Sequence, residues 1–146
     1  MPYIAWNPSK ELGHAVIDRE HRELVELLNR LIELLFDPAA DDEREHHVRK
    51  QQVVDAVDAL GRATKAHFAS EDAIMRAVDY PGLAEHRAQH AELIVQFGSF
   101  AERFHSALAG SVPLELRFLR EWFEYHIENF DAPMVSWLRE QKGPRR

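Results

Sequence analysis

Cysteine is absent from these 146 residues. That excludes disulfides, thiolate metal sites and cysteine nucleophiles. No stretch approaches the roughly 20 consecutive apolar residues that span a bilayer, so membrane insertion is not expected. The N-terminus, Met1 to Asn7, lacks a basic leader followed by an apolar run and does not read as a signal peptide. A cytoplasmic location is expected. Base is scarce relative to acid, 18 Lys and Arg against 25 Asp and Glu, for a formal charge of −7. Such a surface repels a phosphate backbone, which argues against nucleic acid as a partner. No β-alternation, internal repeat, Ser/His/Asp arrangement or phosphate-binding glycine loop is evident.

What remains is helical periodicity. The length and the 45 % hydrophobic content suit one globular domain, taken as 1–146. Residues 1–17 read as an arm broken by Pro2, Pro8 and Gly13, 18–138 as a bundle, and 139–146 as a basic tail. A first helix is expected from Asp18, as N-cap, to Phe36, with Leu24, Val25, Leu28, Ile32 and Leu35 on its apolar face. Asp37 to Asp42 reads as a loop. A second helix runs from about Glu43 to Val78, a turn covers Asp79 to Gly82, and a third helix spans about Leu83 to Leu108. The fourth begins near Pro113. Short connections between four amphipathic helices predict an all-α, antiparallel up-down-up-down four-helix bundle.

Five of the nine histidines occupy the inner faces of these helices. His67 precedes Glu71 by four residues, and His86 precedes His90 by four. An i,i+4 pair projects from one side of a helix. His126 precedes Asp131 by five, and His21 lies one turn before Leu24 and Val25. Buried imidazoles and carboxylates are costly unless something satisfies them, and a metal satisfies all seven together. Five imidazoles exceed the needs of one tetrahedral zinc. Two carboxylates can bridge a pair of ions, and a nitrogen and oxygen donor set suits iron, manganese or zinc. The pattern points to a dinuclear site with an open position for a small molecule.

The His126–Asp131 spacing is irregular for that purpose. Five residues of α-helix turn through about 500°, leaving the two side chains roughly 140° apart. Pro133 clashes with the carbonyl four residues back, so regular helix is expected to be disturbed between Glu128 and Pro133, turning Asp131 inward. His14, His46, His47 and His105 are read as structural. His105 is fifteen residues beyond His90, about 22 Å along a helix.

These residues resemble the hemerythrin family, most closely its bacterial single-domain members. The matching residues are Trp6, Gly13, Ile17, Asp18 and His21, then His67, Phe68, Glu71, Ile74 and Met75. Tyr80, Pro81, His86 and His90 follow, and finally Leu119, Trp122, Phe123, His126, Ile127 and Asp131. The resemblance implies a non-haem di-iron centre, two iron ions with a bridging oxo or hydroxo group and O2 as ligand. His86, His90 and His126 would fill one iron, His21 and His67 would hold the other, and Glu71 and Asp131 would bridge. Its implied function is reversible O2 binding for storage, delivery or sensing, not enzymatic catalysis. The alternative is a di-iron redox enzyme that reduces peroxide or nitric oxide or oxidises ferrous iron. A monomer is expected, and any protein partner is unknown. His14 stands where the family more often has an apolar residue, which leaves the packing of the arm open.

Overall fold

The computed structural model describes residues 4–36, 43–106 and 112–141. The loop expected at 37–42, the end of the third helix at 107–108 and most of the basic tail (142–146) lie outside the described residues. So do the side chains of His46, His47, Phe104, His105 and Leu116. Among the described residues there is no strand, and no helix is long and apolar enough to cross a membrane. The chain folds as a four-helix bundle.

Helix α1 spans Ala15–Phe36, α2 Glu43–Ala77, α3 Leu83–Ser106 and α4 Val112–His126. A π-helical segment, Ile127–Asp131, then joins α4 to α5, Ala132–Gln141. Helix α1 packs on α2, α2 on α3, and α3 on α4.

Helix α1 begins three residues earlier than its sequence suggests. His14 is its N-cap, with Nδ1 accepting the Ile17 backbone N–H at 3.3 Å. Asp18 is therefore inside the first turn, not at the cap. Its carboxylate instead reaches back to the arm, accepting the backbone N–H groups of Leu12 at 2.8 Å and Gly13 at 2.9 Å. Gly13 itself has φ +92, and a Cβ there would fall 1.5 Å from Nη2 of Arg139. That backbone conformation favours glycine, and the Arg139 guanidinium occupies the space a Cβ would take. Upstream, the indole of Trp6 donates to Glu11 at 3.0 Å, and Glu11 also pairs with Arg22. The arm is thus tied to α1 at several points.

The turn between α2 and α3 has a sharp physical cause. Asp79 takes the left-handed conformation, φ 53. The Asp79 N–H then bonds the Arg76 carbonyl and the Tyr80 N–H bonds the Met75 carbonyl, satisfying two carbonyls at the helix end. Pro81 and Gly82 follow, and α3 restarts at once, placing His86 in its first turn.

Two apolar clusters fill the bundle. The larger contains Leu24, Leu28, Leu31, Val57, Phe68, Leu93 and Leu119, and the smaller contains Ile17, Met75, Met134, Val135 and Leu138. On α1 Ile17, His21 and Leu31 are fully buried, whereas Ile32 and Leu35 are only partly buried. The face is therefore rotated slightly from the expected stripe. Between the two clusters helices α1 to α4 and the π segment contribute buried polar residues, and that layer is the site.

Candidate metal centre

The polar layer consists of His21 from α1, His67 and Glu71 from α2, His86 and His90 from α3, His126 from α4 and Asp131 from the π segment. All seven are buried, none more than 5 % exposed. Every site residue expected from the sequence is brought to one place. The ligand-capable atoms form two groups, each within 4.8 Å: Glu71, His86, His90, His126 and Asp131 in one, His21, His67, Glu71 and Asp131 in the other. Glu71 and Asp131 belong to both.

Asp131 reaches the layer because of the π segment. The Ala132 N–H bonds the Ile127 carbonyl, five residues back. In that pattern residues five apart become neighbours on one face. Pro133 has no N–H to offer and its ring excludes the Asn129 carbonyl from a regular turn. Consequently Asp131 Oδ1 lies 3.0 Å from His126 Nε2 and 2.9 Å from His86 Nε2. Its other oxygen lies 2.9 Å from His21 Nε2. The disturbance expected near Pro133 is present, and its form is a π turn.

Imidazole nitrogens converge in a way that hydrogen bonding alone does not satisfy. His126 Nε2 lies 3.0 Å from His90 Nε2 and 3.2 Å from His86 Nε2. Glu71 Oε1 lies 3.2 Å from Nε2 of both His67 and His90. Yet both Glu71 oxygens and His67 Nε2 lack a directed hydrogen bond. Such orphaned buried groups are rare without a bound partner. Nitrogen and carboxylate oxygen are the donors that iron, manganese and zinc accept. The residues present therefore fit a pair of such ions.

Charge in the layer is strongly shifted. Burial, with the charge of Asp131 added, raises the Glu71 carboxyl well above the usual carboxylate range. Burial also acts to raise Asp131, but hydrogen bonds from His126, His21 and His86 outweigh it and hold that carboxyl well below the usual range. For His67, burial disfavours the cation, and the hydrogen bond to Glu20 with the nearby carboxylates of Glu71 and Asp131 overcomes it, raising its pKa to about 10. Burial and the neighbouring His126 and His86 depress His90 to about 2.

Two contributions were not anticipated from the sequence. Glu20 Oε1 lies 2.9 Å from His67 Nδ1, which orients the ring so that Nε2 faces the site, the usual role of a carboxylate behind a metal-binding histidine. Its position beside His21 was the available signal, though α1 sequence alone does not show that it meets α2. Aromatic rings also clamp the imidazoles. Phe68 stacks on His90 at 3.8 Å, and His126 is stacked between Trp122 at 4.8 Å and Phe130 at 5.5 Å.

A narrow pocket with about 40 Å³ of free space adjoins the layer. Leu24, Leu28, Leu60, Leu93, Phe97 and Trp122 supply most of its wall, and His67, His126 and Asp131 close one end. A water molecule needs roughly 10–15 Å³ on this measure, so the space suits a molecule of a few atoms. Trp122, Phe123 and Phe97 line it, whereas Met75 lies in the smaller cluster.

The model of the hemerythrin HHE cation-binding domain matches residues 12–138. The chain belongs to the hemerythrin family. It is 32 % identical over 147 residues to a bacteriohemerythrin from Ralstonia nicotianae, covering 99 % of this chain and 94 % of that protein. A bacteriohemerythrin from Methylococcus capsulatus is 30 % identical, with 90 % and 93 % covered. Hemerythrin subunit 2 of Golfingia vulgaris is 28 % identical, with 89 % and 88 % covered. A crystal structure of wild-type hemerythrin superposes with a TM-score of 0.75 at 24 % identity, covering 92 % of this chain and 96 % of that one. That last likeness concerns the fold. In this hemerythrin the polar layer is the buried group able to hold metal.

Proposed function

We propose that the seven residues hold two iron ions and that the chain binds O2 reversibly beside them. The observation that carries this reading is the sharing of Glu71 and Asp131 between two donor groups of unequal size, one with three histidines and one with two. His86, His90 and His126 would hold one ion and His21 and His67 the other, with Glu71 and Asp131 within reach of both. The ion with fewer histidines would be the one left to take up O2. When bound, the iron pair supplies two electrons reversibly to a small oxidant.

The chain's own residues do the rest. Glu20 fixes the ring of His67, and the π turn fixes Asp131. Leu24, Leu28, Leu93 and Trp122 exclude water from the adjoining cavity, which would slow irreversible oxidation of the metal. Catalytic turnover would require a proton donor on that wall. Among the described residues lining the cavity, Thr64 has the one hydroxyl, and it donates to the Leu60 carbonyl at 2.7 Å. This supports carriage over peroxide or nitric oxide reduction.

The test is an anaerobic-to-aerobic optical titration of reduced, iron-loaded protein with iron counted per chain. Two irons and a visible band that forms with O2 and disappears under vacuum are expected. Direct, irreversible oxidation with no such band would overturn reversible carriage.

A further inference from the structure

The narrow pocket beside the metal layer shares part of its wall with the protein surface. A surface groove of about 280 Å³ lies between α2 and α3, lined by Gly61, Arg62, Lys65, Ile94, Phe97 and Gly98 among others. Among the described residues, Phe97 is the one that lines both this groove and the pocket. Its half-buried ring is wall common to the groove and to the space lined by His67, His126 and Asp131.

The packing around Phe97 is unusual. Gly61 sits in the interior of α2, where glycine costs about 1 kcal/mol relative to alanine. A Cβ at Gly61 would lie 2.8 Å from Cε1 of Phe97, so the missing side chain is what admits the ring. Gly98, the next residue after Phe97, is a second glycine in a helix interior, and a Cβ there would meet nothing within 4 Å. Packing therefore does not require it. One glycine makes room for the ring, and the other leaves the backbone beside it less restrained. The neighbouring Phe100 ring, 5.9 Å away, is fully packed in the core and marks the fixed side of the pair.

A second ring, Phe123, lines both the cavity and a groove beneath the N-terminal arm. It packs edge-on against His21 at 6.0 Å, and among the described glycines none leaves a Cβ space that its ring fills. The α2–α3 side is the more permissive wall.

We propose that Phe97 is a door for small neutral ligands, swinging over Gly61 to connect the α2–α3 groove with the narrow pocket beside the metal layer. The idea rests on the O2 reading above only for the identity of the ligand. A door changes the rates of entry and exit by the same factor, because one barrier is crossed in both directions and Phe97 is not among the metal donors.

Two readouts test it. In iron-loaded protein, Phe97→Ala should raise O2 association and dissociation rates together, by about tenfold, with Kd unchanged, and Phe97→Trp should lower both. In the metal-free full chain, with Trp6 and Trp137 replaced by phenylalanine and helix content checked by circular dichroism, Trp122 reports on the cavity. Quenching of its fluorescence by dissolved O2 should rise in Phe97→Ala and fall in Phe97→Trp. If O2 binds reversibly but neither rates nor quenching respond to Phe97, the door is wrong and the O2 reading stands. If no reversible binding occurs yet quenching follows Phe97, the door stands and the O2 reading falls. A response to Phe123→Ala with none to Phe97→Ala would move the entrance to the arm groove and overturn the proposal.

Discussion

His126 and Asp131 are five residues apart in sequence, yet Nε2 of one lies 3.0 Å from Oδ1 of the other. A regular α-helix would point them about 140° apart. The π segment Ile127–Asp131 removes that angle, and Pro133 removes the alternative of a regular turn.

Replacing Pro133 with alanine restores a backbone N–H and relieves the clash with the Asn129 carbonyl. The helix then gains access to a regular α register in which Asp131 turns away from the layer. Metal affinity, measured by competition with a chelator, should fall by about tenfold or more, as for loss of ligand orientation. Helix content should be kept or increased. Unchanged affinity would show that the π turn is maintained without the proline.

His126→Ala should reduce the iron count from two per chain to one. It also removes an imidazole stacked between Trp122 and Phe130, so the metal-free protein should lose about 2 kcal/mol, a small-cavity penalty. Iron analysis and urea unfolding read the two effects separately. Two irons retained would contradict the ligand assignment.

Glu20→Gln weakens the support behind His67. Metal affinity should fall by roughly 10–100-fold, the usual effect of losing a carboxylate behind a metal-binding histidine. The His67 pKa near 10 adds a pH dependence. Below that pH the ring carries a proton in the metal-free chain, so metal uptake must release it and affinity must fall as pH falls. Proton release into weakly buffered solution on metal addition measures this, and no release at neutral pH would refute it.

Asp18→Asn should destabilise the fold by about 1–3 kcal/mol by weakening two hydrogen bonds to a charged group. Burial acts to raise the Asp18 carboxyl, but the Leu12 and Gly13 N–H groups outweigh it and hold it below its ordinary value. A depressed folded-state pKa gives stability that is present above the unfolded value, near 3.9, and lost as pH falls through the folded one. Urea midpoints of the metal-free chain and its variant should therefore differ most at neutral pH and converge on acidification below about pH 4. A constant difference would mean that Asp18 contributes through shape alone.

The helices were legible because apolar residues recur at helical spacing in α1 to α4, and the seven site residues because they fall on those same faces. The break near Pro133 was legible from the ring's known clash. The start of α1 was not. Asp18 has the chemistry of an N-cap, and nothing local reveals that His14 takes that role while Asp18 ties down the arm. Glu20 was hidden for a related reason, since its partner His67 is 47 residues away.

Helical periodicity specifies the all-helical bundle, the hemerythrin pattern and the inward-facing donor set, because it places residues on faces before any contact is made. Packing settled the rest. It made the disturbance a π turn, shared Glu71 and Asp131 between two donor groups, put Glu20 behind His67 and set Phe97 over Gly61. Each of these depends on the distance between side chains from different helices, and that distance exists only once the helices have packed.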